Sequence, residues 1–194
     1  MLYIMRHGRT DWNDLRKLQG RTDIPLNEEG RRMAHEASVK YSALKIDRIY
    51  CSTLVRAVET AKIFAADKDI PIIEDARLME MSFGIYEGTE RSFEIPDCPI
   101  NVLFQDPEAY KVPVEGGESY EELYRRTGSF LQDIKPLLSG GMNILVVGHG
   151  AMNRCLISQI KGIPLKDFWS GSIENCRIEE FDNDWLSKKN DPMP

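Results

Sequence analysis

The 194 residues carry a formal net charge of −6, a pI near 5.2, 42% hydrophobic and 29% charged side chains. This is globular composition at a length that suits one domain over residues 1–194, and the acidic balance argues against a basic nucleic-acid footprint while allowing a local positive pocket. The four cysteines form no C-x-x-C pair, and the apolar run Met1 to Met5 is too short for a signal peptide or a membrane span. Reduced thiols, a cytoplasmic location and no nucleic-acid or membrane partner are therefore expected, with the oligomeric state left open.

Leu2 to Met5 is a short apolar run ending at a glycine-bearing turn, the pattern of a buried parallel strand, and Asn143 to Val147 is a second. Between them Asn27 can cap a helix that places Ala34, Ala37, Tyr41 and Leu44 on one face, with Asp47 to Cys51 extended beyond it. Ser52 is expected to open another helix through Leu54, Ala57, Ala61 and Phe64, followed by an extended stretch from Ile70 to Ile73. Residues 88–118, with prolines at 96, 99, 107 and 113, break this rhythm and read as a long insertion, a candidate cover over a site. Ser119 and Glu122 form a capping-box pattern for a long helix burying Leu123, Phe130, Ile134 and Leu137. A shorter helix follows Gly150, and Cys176 to Phe181 alternates like an edge strand. The tail from Ser187 to Pro194 is polar and expected to be loose. The alternation implies an α/β fold, a three-layer α/β/α sandwich with a mostly parallel sheet and one edge strand open to antiparallel pairing.

Open α/β sheets bind ligands at the carboxyl ends of their strands, and two histidines leave apolar strands there: Arg6-His7-Gly8 and Gly148-His149-Gly150. The glycines are expected to let a ligand approach the backbone. His35 lies inside a helix and has no such setting. A neutral imidazole can attack phosphorus, but a phosphate monoester carries about two negative charges near neutral pH, which guanidinium groups neutralise bidentately. Arg6 adjoins His7, and Arg56 falls near a helix N-terminus that also favours phosphate. Departure of the alcohol requires a proton donor, for which Glu80 is the candidate, its apolar neighbours in Leu78-Met79-Glu80-Met81 desolvating the carboxyl. His149 would contact the phosphoryl oxygens.

With these residues in place the chain resembles the histidine phosphatase superfamily, in its phosphoglycerate-mutase-like branch of phosphatases and mutases. The resemblance spans nearly the whole chain: Arg6 to Asn13 for the nucleophile motif, Gln19-Gly20 with Asp23, Pro25 and Leu26 for the phosphate-side loop, Ser52 to Ala57 with Thr60, Leu78 to Gly88, Gly116 to Ser119, and Gly148 to Gly150. It implies His7 as the phosphohistidine-forming nucleophile, Glu80 as proton donor, and Arg6, Arg56 and His149 as the phosphate pocket. Asn13, Gln19 and Gly20 are implied as further contacts to phosphate or substrate, beside Gly150 at the turn, with a small-molecule phosphate monoester as substrate and neither metal nor organic cofactor.

Mutases of this branch carry extra basic residues in the insertion, whereas here it offers chiefly Arg91 and Lys111 among apolar residues such as Phe104 and Tyr110. Such a cover suits a less anionic leaving group. Arg125-Arg126 falls inside the long helix, outside the context of the mutase arginine pair, and Ala151 stands where the mutase pattern has asparagine. Arg9 replaces the commoner acidic or amide residue and is expected to add a cation at the mouth. These features favour hydrolysis over a cofactor-dependent phosphoglycerate mutase. A cysteine phosphatase is excluded because four rather than five residues separate Cys51 from Arg56, and a serine hydrolase because no G-x-S-x-G elbow is present. A noncatalytic phosphate-ligand binding protein on the same fold is the remaining rival.

Overall fold

The structure, a computed structural model, describes residues 1–66 and 68–187. The part of the expected loose tail beyond Ser187 lies outside the described residues. A five-stranded sheet forms from β1 (Leu2–Arg6), β2 (Arg48–Cys51), β3 (Ile72–Glu74), β4 (Ile144–Gly148) and β5 (Ile178–Phe181), in the order β3-β2-β4-β1-β5. All pairings are parallel except β1 with β5. The helices are α1 (Asp11–Asp14), α2 (Glu28–Lys40), α3 (Val55–Ala65), α4 (Asn101–Gln105), α5 (Tyr120–Ser139) and α6 (Gly150–Lys161).

Side-chain alternation along the central strands produces the layers. Leu2, Ile4, Ile144 and Val146 face one core with α5 and α6, through Phe130, Ile134, Met152 and Leu156. Tyr3, Met5, Leu145 and Val147 face the other with α2 and α3, through Ala34, Ala57, Ala61 and Phe64. Each fully buried large apolar side chain contributes about 1.5–3 kcal/mol, so both faces specify the register. No helix among the described residues is long and apolar enough to cross a membrane.

Three expectations shift for local reasons. Helix α3 begins at Val55 rather than Ser52, because the Ser52 amide still donates to Val147 O on the sheet (3.1 Å). Its first turn is capped from a distance, the Val55 amide donating to Asp23 Oδ1 at 2.7 Å. Strand β3 begins at Ile72, since Pro71 offers only its carbonyl, which accepts from Ile49 N at 3.0 Å. The stretch at 88–118 is less irregular than expected: it contains a 3-10 turn at Ser92–Glu94 and helix α4, and buries Cys98, Ile100, Leu103 and Tyr110 in the α5–α6 core. The capping box forms as expected, with Ser119 N donating to Glu122 Oε2 at 2.9 Å and Glu122 N to Ser119 Oγ at 3.2 Å.

Candidate active site

The β1–β4 register pairs Arg6 with Gly148, so His7 and His149 emerge side by side one residue later. The His7 amide continues the ladder to Gly148 O at 2.9 Å, and the two rings lie 5.1 Å apart between centroids. Both imidazoles are buried.

His7 Nδ1 lies 2.6 Å from Gly8 O. A carbonyl only accepts, so Nδ1 carries the proton and Nε2 keeps the lone pair. Burial, then the charges of Arg56 and Arg6, hold this imidazole well below its ordinary value and keep it neutral at pH 7. His149 has the opposite tautomer. Its Nδ1 accepts from Arg56 Nε at 3.3 Å, which leaves the proton on Nε2, a buried atom with no partner. An unpaired buried donor is destabilising by about 1–3 kcal/mol, so it marks a place where an acceptor is due.

Two arginines flank this pair. Arg56, fully buried, donates from Nη1 to Thr22 O (2.9 Å) and from Nη2 to Gly20 O (2.7 Å). Burial lowers it to about 10. Arg6 donates to Ile173 O at 3.0 Å while its buried Nε has no partner, and burial lowers this guanidinium too. Neither has a carboxylate within ion-pair distance among the described residues. A fully buried cation, a partly buried one and two unpaired donors around a neutral imidazole describe a site made for an anion.

Arg6, His7 and Arg56 line a cavity of about 390 Å³ together with Asn13, Gln19, Gly20, Glu80 and Gly150, and the His149 ring lies against that of His7. Asn13 Oδ1 accepts from Thr10 N (3.1 Å), and Gln19 Oε1 accepts from Thr10 Oγ1 (3.0 Å). Both amide nitrogens are thereby left as donors. Gly20 has φ +54° and directs its carbonyl to Arg56; a Cβ there would meet Glu87 Oε1 at 2.1 Å.

Two expectations about local chemistry change. Gly8 is required not by a ligand but by the chain, because a Cβ on it would sit 2.4 Å from Gly30 O at the start of α2. The Glu80 carboxyl is buried beside Leu78 and Met81 but meets polar groups: Oε1 accepts from Met81 N and Met152 N, both at 2.9 Å, and Oε2 from Ala151 N at 3.2 Å. It therefore docks on the N-terminus of α6 instead of an apolar wall.

The expected cation at position 9 is absent from the cavity, since Arg9 pairs with Asp14 outside it. Arg91 pairs with Glu94 at 3.6 Å, and neither Arg91 nor Lys111 lines the cavity. The insertion instead contributes Phe104, which meets Trp169 with ring centroids 4.8 Å apart and Phe83 at 5.8 Å, and all three line the cavity. Residue patterns missed Trp169, Lys17 and Arg154. Arg154 donates to Ser170 O (2.6 Å) and Gly171 O (2.7 Å), fixing the loop that closes the cavity. The one signal for Arg154 was its spacing, four residues after Gly150 and so on the same face of α6.

The family model described as "Histidine phosphatase superfamily (branch 1)" matches residues 2–185. A Yersinia pestis (strain Pestoides F) protein named "Probable phosphoglycerate mutase GpmB" is 32% identical over 198 residues, covering 96% of this chain and 87% of that protein. Among solved structures, Bacillus stearothermophilus YhfR matches with a TM-score of 0.83 and 33% identity over 93% of this chain and 91% of that one. The mycobacterial glucosyl-3-phosphoglycerate phosphatase in complex with VO3 matches with a TM-score of 0.80 and 26% identity, covering 91% of this chain and 90% of that one. A sheet of this order, paired histidines at adjacent strand ends and these matches agree: the chain belongs to the histidine phosphatase superfamily, branch 1.

Proposed function

We propose that the protein is a phosphomonoester hydrolase that works through a phosphohistidine on His7. The observation that carries this reading is the anion-seeking arrangement around a neutral His7, with the buried Arg56 and the partly buried Arg6 lacking carboxylate partners among the described residues and His149 Nε2 holding a proton with no acceptor.

In the first half-reaction His7 Nε2 attacks the phosphorus, and the bond to the alcohol oxygen breaks as Glu80 delivers a proton to that oxygen. Arg6, Arg56 and His149 Nε2–H hold the phosphoryl oxygens as charge redistributes, with Asn13 and Gln19 amide groups adding donors. In the second, water attacks the phosphorus of the phosphohistidine, Glu80 takes up its proton, and His7 and phosphate are released. The arginines supply the charge neutralisation that a metal ion supplies elsewhere, so turnover is expected in excess chelator.

Water is favoured as acceptor because Arg91 and Lys111 lie away from the cavity, while Phe83, Phe104 and Trp169 form an apolar wall where the alcohol would sit. Ala151 at the start of α6 points the same way by resemblance. Lys17, which also lines the cavity, favours the second reading, transfer to a hydroxyl of an anionic substrate as in a phosphoglycerate mutase. A panel decides between them: 3-phosphoglycerate with and without its bisphosphate primer, sugar phosphates, α-ribazole phosphate and aryl phosphates. Hydrolysis of an aryl phosphate in chelator supports the proposal; mutase turnover exceeding hydrolysis overturns the choice of acceptor.

A further inference from the structure

Arg126, inside α5, is outside the cavity, yet three of its five donors are committed to the segment that carries Glu80. Nη1 donates to Arg77 O and to Met79 O, both at 2.6 Å, and Nη2 donates to Glu80 O at 3.2 Å. The other two bonds form a bidentate pair with Glu118, from Nε to Oε1 at 2.7 Å and from Nη2 to Oε2 at 2.9 Å. A guanidinium has five N–H groups, and here all five are used. Side-chain exposures of 15% for Arg126 and 7% for Glu118 make this a buried pair, in which loss of one partner strands the other. Glu118 also receives Arg21 Nη2 at 3.1 Å, and Arg21 Nε reaches Glu80 O at 3.4 Å, so the loop after Gln19 is tied into the same knot.

The geometry points to Arg126, held by Glu118, as the positioning residue for the proton donor of this reaction, an inference that rests on Glu80 having that role. Three carbonyls, of Arg77, Met79 and Glu80, converge on one guanidinium on one side of the segment. The Glu80 carboxyl is thereby directed to the other side, onto the α6 amides and toward the cavity. A lysine keeps the charge but offers three donors from a single atom and cannot cradle three carbonyls and a carboxylate in a plane. A displacement of about 1 Å in such a group reduces turnover by about 10²-fold.

The test is the dependence of kcat/KM on leaving-group pKa, over a series from dinitrophenyl phosphate to alkyl phosphates, for the wild type, Glu80→Gln, Arg126→Lys and Glu118→Gln, with thermal melting alongside. A misplaced acid penalises only leaving groups that need a proton. Arg126→Lys and Glu118→Gln are therefore expected to lose about 10²-fold or more on alkyl phosphates and less than about threefold on dinitrophenyl phosphate, reproducing the steeper slope of Glu80→Gln. A purely structural role lowers all substrates equally. A steep slope in Glu80→Gln with unchanged slopes in the other two overturns this inference alone. An unchanged slope in Glu80→Gln overturns the role of Glu80 and this inference with it. Should Arg126→Lys fail to fold, Glu118→Gln, which retains the guanidinium and the shape of its partner, decides.

Discussion

His7 and His149 are held in opposite tautomers 5.1 Å apart: His7 has its proton on Nδ1, pinned to Gly8 O, and His149 on Nε2, because Arg56 occupies its Nδ1. One ring thus offers a lone pair and its neighbour a proton, from equivalent positions beyond adjacent parallel strands. The asymmetry originates in what each Nδ1 meets, a carbonyl in one case and a guanidinium in the other.

The His7 turn depends on Thr60. Gly8 N donates to Thr60 Oγ1 at 3.0 Å, and the same hydroxyl donates to Arg56 O at 2.6 Å. Thr60→Val leaves the buried Gly8 amide without an acceptor, which is expected to destabilise the fold by about 1–3 kcal/mol. The same change is expected to lower kcat about 10- to 100-fold with KM little changed, through displacement of His7. Thr60→Ser retains the hydroxyl and should stay within about twofold of wild type in steady-state kinetics. Equal losses in the two variants would contradict this linkage.

Stability should respond to the two buried imidazoles. Both His7 and His149 are held well below 6.5, by burial first and then by Arg56. Protons taken up as the pH falls below 6.5 therefore bind the unfolded chain in preference, so their contribution to stability is complete above 6.5 and declines as pH falls below it. Thermal melting followed between about pH 7.5 and 5.5 should show Tm falling on the acid side, and a His7→Asn, His149→Asn double variant should show a shallower fall. Identical slopes would contradict the buried neutral state.

Phe104 should govern the alcohol rather than the phosphate. It lines the cavity between Phe83 and Trp169. Phe104→Ala is expected to raise KM for naphthyl phosphate by about tenfold or more, equivalent to about 1.4 kcal/mol of lost apolar contact, while KM for a small alkyl phosphate changes less than about twofold. Parallel shifts for both substrates would place the ring outside the alcohol site.

Much of this arrangement was legible because it follows short-range rules. The apolar runs at Leu2 to Met5 and Asn143 to Val147 are strands, the Ser119–Glu122 box is a cap, and histidines just beyond two such strands meet once the strands pair in parallel. What was not legible depends on tertiary approach. Nothing near Gly8 in the chain announces Gly30, and nothing near Glu80 announces the α6 amides that its carboxyl meets. Arg9 and Arg154 show the same limit for charges. Arg9, two residues after His7, turns away to Asp14, whereas Arg154 in α6 and Trp169 beyond it arrive at the cavity through packing. The insertion looked irregular because of its prolines, but its apolar residues were spaced to join the core.

In the proposed reaction His7 itself carries the phosphoryl group. Rapid quench of the enzyme with an aryl phosphate, followed by mass spectrometry of the His7 peptide under alkaline conditions that preserve phosphohistidine, tests it most directly. One phosphoryl group is expected on His7, formed at least as fast as steady-state turnover and absent from His7→Ala, which should retain the wild-type fold. Rapid turnover in His7→Ala, or a phosphoryl group on another residue of the wild type, would contradict it.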